Sequence, residues 1–524
     1  MEMTNEQYEQ LVSRLEETAR RDPGGYRRRV ALLALLGYAY LLSVVVILLA
    51  LAFFVGWLMW ESGKVNALVI KVGWIPLALA VFVLRALWVR IPPPEGHELT
   101  RETAPELFAT VDEITRVLDS PRIDRVLIDG EYNASVVQLP RLGPLGWFRN
   151  YLSLGLPLMQ ALTPEQFRAV LAHELGHLSG KHGRFTGWIY RVRRTWLQLL
   201  ERFQREQRYG AFLFERFFNW YAPYFHAYSF VLARKHEYEA DEAAARIAGS
   251  GVIAEALIAM RAKADHISEH YWPGVFKEAD TQPRPVSGAF ANLSQVLRGP
   301  VPEESATDFV RRALHEKTGH SDTHPSLADR LAALNYPPQS ASSASPDWVE
   351  NLSFEPLAET AAQRFLGADA EARLAAQFDE VWQRGISDSW RQRHRYVVES
   401  RERMAELAEK ARTSELTPNE RYKLGELTAE FGEAEDAIPL LRSVPKPNPN
   451  YASANFLLGQ LLLQRDDDSG MAHIEEALER DKEFAVHGYA ILYSYLLRMG
   501  RPAEAQRYKA RLEEHGITIV ESHS

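Results

Sequence analysis

Leu171–His182 reads LAHELGHLSGKH, two histidines four positions apart with a glutamate directly after the first. At helical spacing His173 and His177 project from one face, and two imidazoles so placed can share one tetrahedral ion. Glu174 sits beside them without ligating. The stretch announces its own helix: Thr163 suits the N-cap, Pro164 the first helical position, and Gln166 completes a capping box. Phe167, Val170, Leu171, Leu175 and Leu178 cover the remaining faces, so the helix is expected to be buried. Two buried imidazoles and a carboxylate are costly unless something satisfies them. A surface helix that happens to carry histidines is the plainer alternative, and the motif by itself does not dismiss it.

A zinc site that does chemistry needs a third protein ligand and an open position. The chain has no cysteine. That excludes disulfides, thiolate metal sites and a cysteine nucleophile, and leaves only nitrogen and oxygen donors. His182 falls one residue short of the third histidine of metzincin-type peptidases, with no later Met-turn, and is not taken as a ligand. The stretch ARKHEYEADEAAARIAG, Ala233–Gly249, offers Glu237 and Asp241 one helical turn apart. Glu237 can give the ligand oxygen, and Asp241 can accept the free N–H of a ligand histidine and fix its tautomer. Glu239 and Glu242 close by leave a solvated acidic helix face as the other reading.

HELGHLSGKH followed by HEYEAD resembles the membrane-bound zinc peptidases of the HtpX and CAAX-prenyl-protease type, over roughly Glu102 to Leu334. The resemblance implies Glu237 as third zinc ligand, Asp241 as its partner, one zinc ion per chain, and His182 at the usual place five beyond the second ligand. Asn133-Ala134-Ser135 resembles the family's N-A-F-A segment, which implies substrate contacts at Asn133 and Ala134. HPSLADR, with His324 and Arg330, resembles its H-P-x-x-x-x-R motif. Two positions depart: Ala233 replaces the usual serine and Ser135 the usual phenylalanine, which bears on substrate preference more than on ligation. Zinc on His173, His177 and Glu237 keeps a place for water, and Glu174 acts as general base. His324 and Arg330 are the candidates for a second oxyanion donor and its support; capping and anchoring of the following helix is the alternative. YLSLGLPL, Tyr151–Leu158, reads as a strand, and in the family it is an edge strand on which an extended peptide lies.

The N-terminus is strongly apolar. Val30–Trp60 contains no charged residue and exceeds the roughly 30 Å of a bilayer core. Val65–Val89 is a second expected span, with Lys71 and Arg85 towards its ends. A cleaved signal peptide fits poorly, because a second span follows and no small-residue cleavage site does. Arg20, Arg21, Arg27, Arg28 and Arg29 precede the first span, against Glu61 and Lys64 in the turn, which places the N-terminus and everything after Pro92 in the cytoplasm. Between the ligand stretches, aromatic residues and arginines interleave over 184–232. The expectation there is a basic, aromatic hairpin on the anionic leaflet.

Beyond the linker composition of Tyr336–Pro346 and a charged helical stretch lies a period of 34. Leu424, Leu458 and Leu492 obey it, as do Ala437, Met471 and Ala505, and Val444, Leu478 and Leu512. The spacing resembles tetratricopeptide repeats and implies a concave face for a protein partner.

The expected fold is therefore mainly α with a small β-sheet. It comprises a cytoplasmic segment (1–29), a transmembrane helical hairpin (30–91) and a zincin-like α+β metallopeptidase domain (92–335). A linker (336–350), a helical connector (351–413), a tetratricopeptide-like α-solenoid (414–516) and a tail (517–524) follow. The net charge of −9 gives no reason to expect nucleic-acid binding. The expected function is a membrane-anchored zinc endopeptidase acting on peptide or protein substrates, with membrane lipids around it. Membrane-protein quality control is implied by the HtpX resemblance. A catalytically silent membrane-tethered adaptor and a CAAX prenyl-protein protease are the alternatives.

Overall fold

The structure, a computed structural model, describes residues 4–62, 74–81, 92–140, 148–179, 211–319, 323–337 and 348–515 apart from 351 and 353, with single positions between 185 and 196. His182, most of 184–210, most of the 336–350 linker, the 517–524 tail and the larger part of the second expected span lie outside the described residues. The chain divides into two compact units, Met1–Tyr271 with Gly288–Glu380, and Trp272–Ser287 with Val381–Ser524.

In the first unit, α1 (Asn5–Arg21) opens on a capping box from Thr4 and buries Val12, Leu15 and Ala19. Helix α2 (Pro23–Ser62) follows. Its Pro23–Glu61 stretch is the one helix, among the described residues, long and apolar enough by itself to cross a membrane. Leu32, Phe53 and Trp60 on it are exposed, while Val30, Ala34 and Leu41 are buried. Of the second expected span, residues 74–81 are helical, and Ala80 is buried in one cluster with Leu41, Val44, Val45 and Leu48.

The small sheet has the order β1-β2-β4-β3, with β1 His97–Leu99, β2 Arg125–Asp129, β3 Ala134–Pro140 and β4 Phe148–Gly155; α3 (Pro105–Val117) connects β1 to β2. β2 and β4 are parallel, and the other two pairings are antiparallel. The strand read from YLSLGLPL is thus internal, not an edge. It ends at Gly155, and Leu156 begins a short helix. Tyr151–Gly155 is buried at every position, so both faces of this strand are covered. Among the described residues the edges of the sheet are β1 and β3. Gly155 also explains where β3 begins: a Cβ there would stand 1.7 Å from the Glu131 carbonyl oxygen, and its N–H donates to the Asn133 carbonyl at 2.8 Å.

Next come α4 (Pro164–Gly176), α5 (Ala211–Ala248), α6 (Ser250–His266), α7 (Ala289–Arg298), α8 (Glu303–His315), α9 (Leu327–Ala333) and α10 (Ala368–Thr413). The aromatic half of the 184–232 insert forms the first turns of α5, the same helix that carries Glu237. Phe218, Tyr221, Phe225 and Phe230 are buried in one cluster with residues of α1 and α2, while Trp220 and Tyr224 are exposed. Phe217 stacks on Tyr40 at 3.8 Å between centroids, and the Tyr221 hydroxyl donates to the Leu33 carbonyl at 2.8 Å. The 351–413 connector also divides. Its first part packs on the start of α4, where the Ala361 N–H donates to the Leu162 carbonyl at 2.9 Å and Phe365 lies 5.9 Å from Phe167. Helix α10 belongs to the first unit as far as Glu380.

In the second unit three helical hairpins succeed one another: α11 (Pro418–Phe431) with α12 (Ala434–Arg442), α13 (Tyr451–Gln464) with α14 (Ser469–Arg480), and α15 (Ala485–Arg498) with α16 (Pro502–Glu514). All nine of the periodic residues named above are buried. Ala437 and Val444 pack with Leu458, and Leu478 packs with Leu492 and Leu512, so each hairpin covers the next.

Candidate active site

Thr163 Oγ1 accepts from the Gln166 N–H at 3.2 Å, and the Gln166 side chain accepts from the Thr163 N–H at 3.2 Å. The box fixes where α4 starts, and so the rotation at which His173 and His177 emerge. Helix α5 crosses α4 on small residues. A Cβ on Gly176 would stand 3.1 Å from Ala243 Cβ and 3.3 Å from Ala240 Cα. That close approach brings Glu237 onto the two histidines.

His173 Nε2 lies 3.6 Å from Glu237 Oε2, and His177 Nε2 lies 3.7 Å from Glu237 Oε1. One donor atom from each of the three falls within 4.8 Å of the other two. Donors about 2 Å from a shared tetrahedral ion stand roughly 3.3 Å apart, so the set needs only slight closure to fit a cation. Glu237 is 7% exposed, and its Oε2 is buried with no hydrogen-bond partner. A bare carboxylate oxygen facing His173 Nε2, on a carboxylate whose other oxygen faces His177, is what a bound cation would satisfy.

Behind the histidines a second layer is complete. Asp241 Oδ1 accepts from His173 Nδ1 at 2.8 Å, which leaves Nε2 as the free donor atom; the tautomer is assigned from this bond. Arg330 grips the same carboxylate with Nε on Oδ2 at 2.8 Å and Nη2 on Oδ1 at 2.6 Å. Two of the guanidinium's three nitrogens are therefore engaged with Asp241. His324 is 61% exposed at its side chain, with Nε2 at 3.9 Å from Glu237 Oε2, at the rim of the site. It does not cap the following helix, because Ser326 Oγ does, accepting from the Asp329 N–H at 3.2 Å. Asn133 immediately precedes β3 and Ala134 opens it; the strand packs beside α4. The Asn133 side chain folds back to accept from the Ala134 N–H at 2.9 Å.

Charge follows from burial and neighbours. Burial is the largest influence on Glu174 and pushes its carboxyl up to about 7. His177 is driven down to about 4, by burial first and by His173 second. On His173 burial opposes the charge, yet Asp241 and Glu237 prevail and raise it to about 9. Burial also opposes ionisation of Glu237 and Asp241, but the histidines hold the first, and Arg330 with His173 the second, down at about 2.

Residues 145–337 match the model for peptidase family M48. This segment is an M48 peptidase domain. Similar proteins include Protease HtpX of Chromohalobacter salexigens, 32% identical over 138 residues, and Protease HtpX of Ectopseudomonas mendocina, 30% identical over 138 residues. Each match covers 22% of this chain and 45% or 46% of the relative. The chain thus spans about half the length of the curated relatives it matches. The M48 segment holds α4, the ligand half of α5, and His324 and Arg330, all in the first unit.

Two supports of the M48 domain were not legible in the sequence. Lys263, 3% exposed on α6, donates to the Ala161 carbonyl at 2.8 Å and to the Leu297 carbonyl at 2.6 Å. Gln160 donates to Glu371 at 2.9 Å, and Ser294 donates to the same oxygen at 3.1 Å. A buried lysine in an otherwise apolar helical face was the only available signal.

Proposed function

We propose that the chain is a membrane-anchored, zinc-dependent endopeptidase whose metal is held by His173, His177 and Glu237. The observation that carries the reading is the buried Glu237 carboxylate set against the His173 and His177 imidazoles, its Oε2 unsatisfied, with Asp241 and Arg330 already committed behind them. When bound there, zinc supplies Lewis-acid chemistry, making a water acidic near neutrality and polarising a carbonyl. Glu174 takes the proton from the attacking water and returns it to the leaving amine. A carboxyl poised at about 7 suits both steps. His324, exposed at the rim, donates from its ring to the tetrahedral oxygen. Asp241 and Arg330 keep His173 in one tautomer.

The substrate is a peptide laid along β3, adding a strand to the exposed edge of the sheet, with Asn133 and Ala134 where that strand enters the site. Helix α2 and the 65–89 segment form a transmembrane hairpin, and the arginines before α2 keep the catalytic side cytoplasmic. The three hairpins of the second unit act as tetratricopeptide-like repeats that receive a protein partner. Membrane-protein quality control is the setting that the HtpX similarity suggests. Glu174→Gln tests the chemistry: zinc stays at one equivalent while hydrolysis of a model peptide is lost. Retained hydrolysis would remove Glu174 from its role, and absence of zinc from the wild type would leave a tethered adaptor.

A further inference from the structure

The helix bearing the third ligand is held from behind by the N-terminal helices. Tyr8 Oη and His226 Nδ1 are 2.6 Å apart, the Tyr26 hydroxyl donates to the Tyr228 carbonyl at 2.8 Å, and Arg27 pairs with Glu239 at 3.1 Å. A fourth tie goes further. Arg234 of α5, 6% exposed, donates from Nη1 to Glu16 of α1 at 2.5 Å and from Nη2 to the carbonyl of Gly319, with its guanidinium 4.6 Å from the Phe230 ring centre. Gly319 belongs to the segment that leads from α8 to His324. That segment is pinned on either side: Glu316 to Arg261 at 2.5 Å, and Thr318 Oγ1 to Asp329 at 2.5 Å and to the Ser326 N–H at 2.7 Å.

We propose that Arg234 is a positioning residue that makes the seating of α1 set the place of His324 over the metal ligands. The proposal rests on the reading of His324 as a donor to the reacting carbonyl. A planar guanidinium can serve two acceptors at a fixed angle, which a lysine ammonium on a flexible stem does not reproduce. Glu16 supplies the counter-charge that keeps this guanidinium buried. Without it, the side chain is drawn towards water and releases Gly319. Glu16 and all of α1 lie outside the M48 match, so the device is an addition to the domain, built from a segment before the first span.

The test uses the full-length, zinc-loaded protein and a fluorogenic peptide. It compares the wild type with Glu16→Gln, Arg234→Lys, His324→Ala and the double variant Glu16→Gln/His324→Ala. Misplacing a reacting group by about 1 Å costs up to roughly a hundredfold, so Glu16→Gln should lower kcat by about tenfold, with KM and zinc content unchanged. Amide exchange at 316–319 and 323–326 should quicken in both Glu16→Gln and Arg234→Lys, a readout independent of turnover. The loss from Glu16→Gln should vanish in the His324→Ala background. Independent, multiplying losses, or unchanged exchange in the segment, would overturn the coupling and leave the role of His324 standing. A fully active His324→Ala would overturn the role of His324 and the proposal with it.

Discussion

Replacing Asp241 by asparagine isolates the bond that fixes His173. In the wild type Oδ1 serves His173 Nδ1 at 2.8 Å and Arg330 Nη2 at 2.6 Å, while Oδ2 serves Arg330 Nε at 2.8 Å. Asparagine keeps the outline but has one acceptor oxygen, with two N–H donors in place of the other. If its oxygen faces His173 and Nη2, its amide hydrogens meet Arg330 Nε, donor against donor. If it turns round, His173 must move its proton to Nε2, the atom 3.6 Å from Glu237. Either arrangement forfeits a hydrogen bond to a charged group, worth about 1.5–3 kcal/mol. Arg330, whose pairing is with a carboxylate 1% exposed, also loses its closest counter-charge. Removing one partner of such a buried pair costs about 3–5 kcal/mol. Loss of a ligand-orienting carboxylate typically weakens metal binding by about 10–100-fold. Zinc competition against a chelator should therefore shift by that factor, and the thermal midpoint should fall with or without metal. Wild-type zinc affinity together with an unchanged midpoint would refute the claim that Asp241 orients His173.

Three further outcomes are expected. Gly176→Val places two methyl groups beyond a Cβ already 3.1 Å from Ala243, overpacking the helix crossing by about 1–3 kcal/mol and moving Glu237 off the histidines; zinc titration should show weaker binding, with Gly176→Ala intermediate. Burial brings Lys263 down to about 8, so between that pH and the 10.5 of the unfolded chain the unfolded state binds more protons and stability rises with pH. The gain is at most about 3 kcal/mol, and chemical denaturation of Lys263→Met beside wild type should show that slope missing from the variant. Zinc at a thousand times its Kd should add about 4 kcal/mol to stability, so chelation should lower the thermal midpoint of wild type and Glu174→Gln alike, and an unmoved midpoint would argue against a structural hold on α5.

What could be read from sequence was what depends on neighbours along the chain. The capping box at Thr163, the shared face of His173 and His177 and the period of 34 are local spacings, and a helix converts spacing into geometry directly. Glu237 and Asp241 needed a resemblance as well, because nothing within α5 says that it crosses α4 at Gly176. The sheet order escaped for a similar reason. YLSLG alternates along Tyr151–Gly155, which is legible as a strand, but whether it lies at an edge depends on β3, which precedes it in the chain. Arg234 and Glu16 are 218 positions apart, and their pairing has no local signature at all.

The same separation carries a consequence for how the domain stands alone. A fragment beginning after Pro92 retains the entire M48 match, yet it loses the surface that covers Phe218, Tyr221, Phe225 and Phe230, all at most 2% exposed and all clustered with Val30, Ala34 and Leu41. An aromatic ring buries on the order of 150–250 Å². If about half of that faces α1 and α2, the four rings uncover roughly 400 Å², or about 10 kcal/mol at 25 cal/mol per Å². That is comparable with the whole stability of a domain. It falls on α5, the helix that must present Glu237. The fragment should therefore associate through this face and hold less than one equivalent of zinc, measured by light scattering and metal analysis. A monodisperse fragment with full zinc content would mean that α5 keeps its seat without the N-terminal helices.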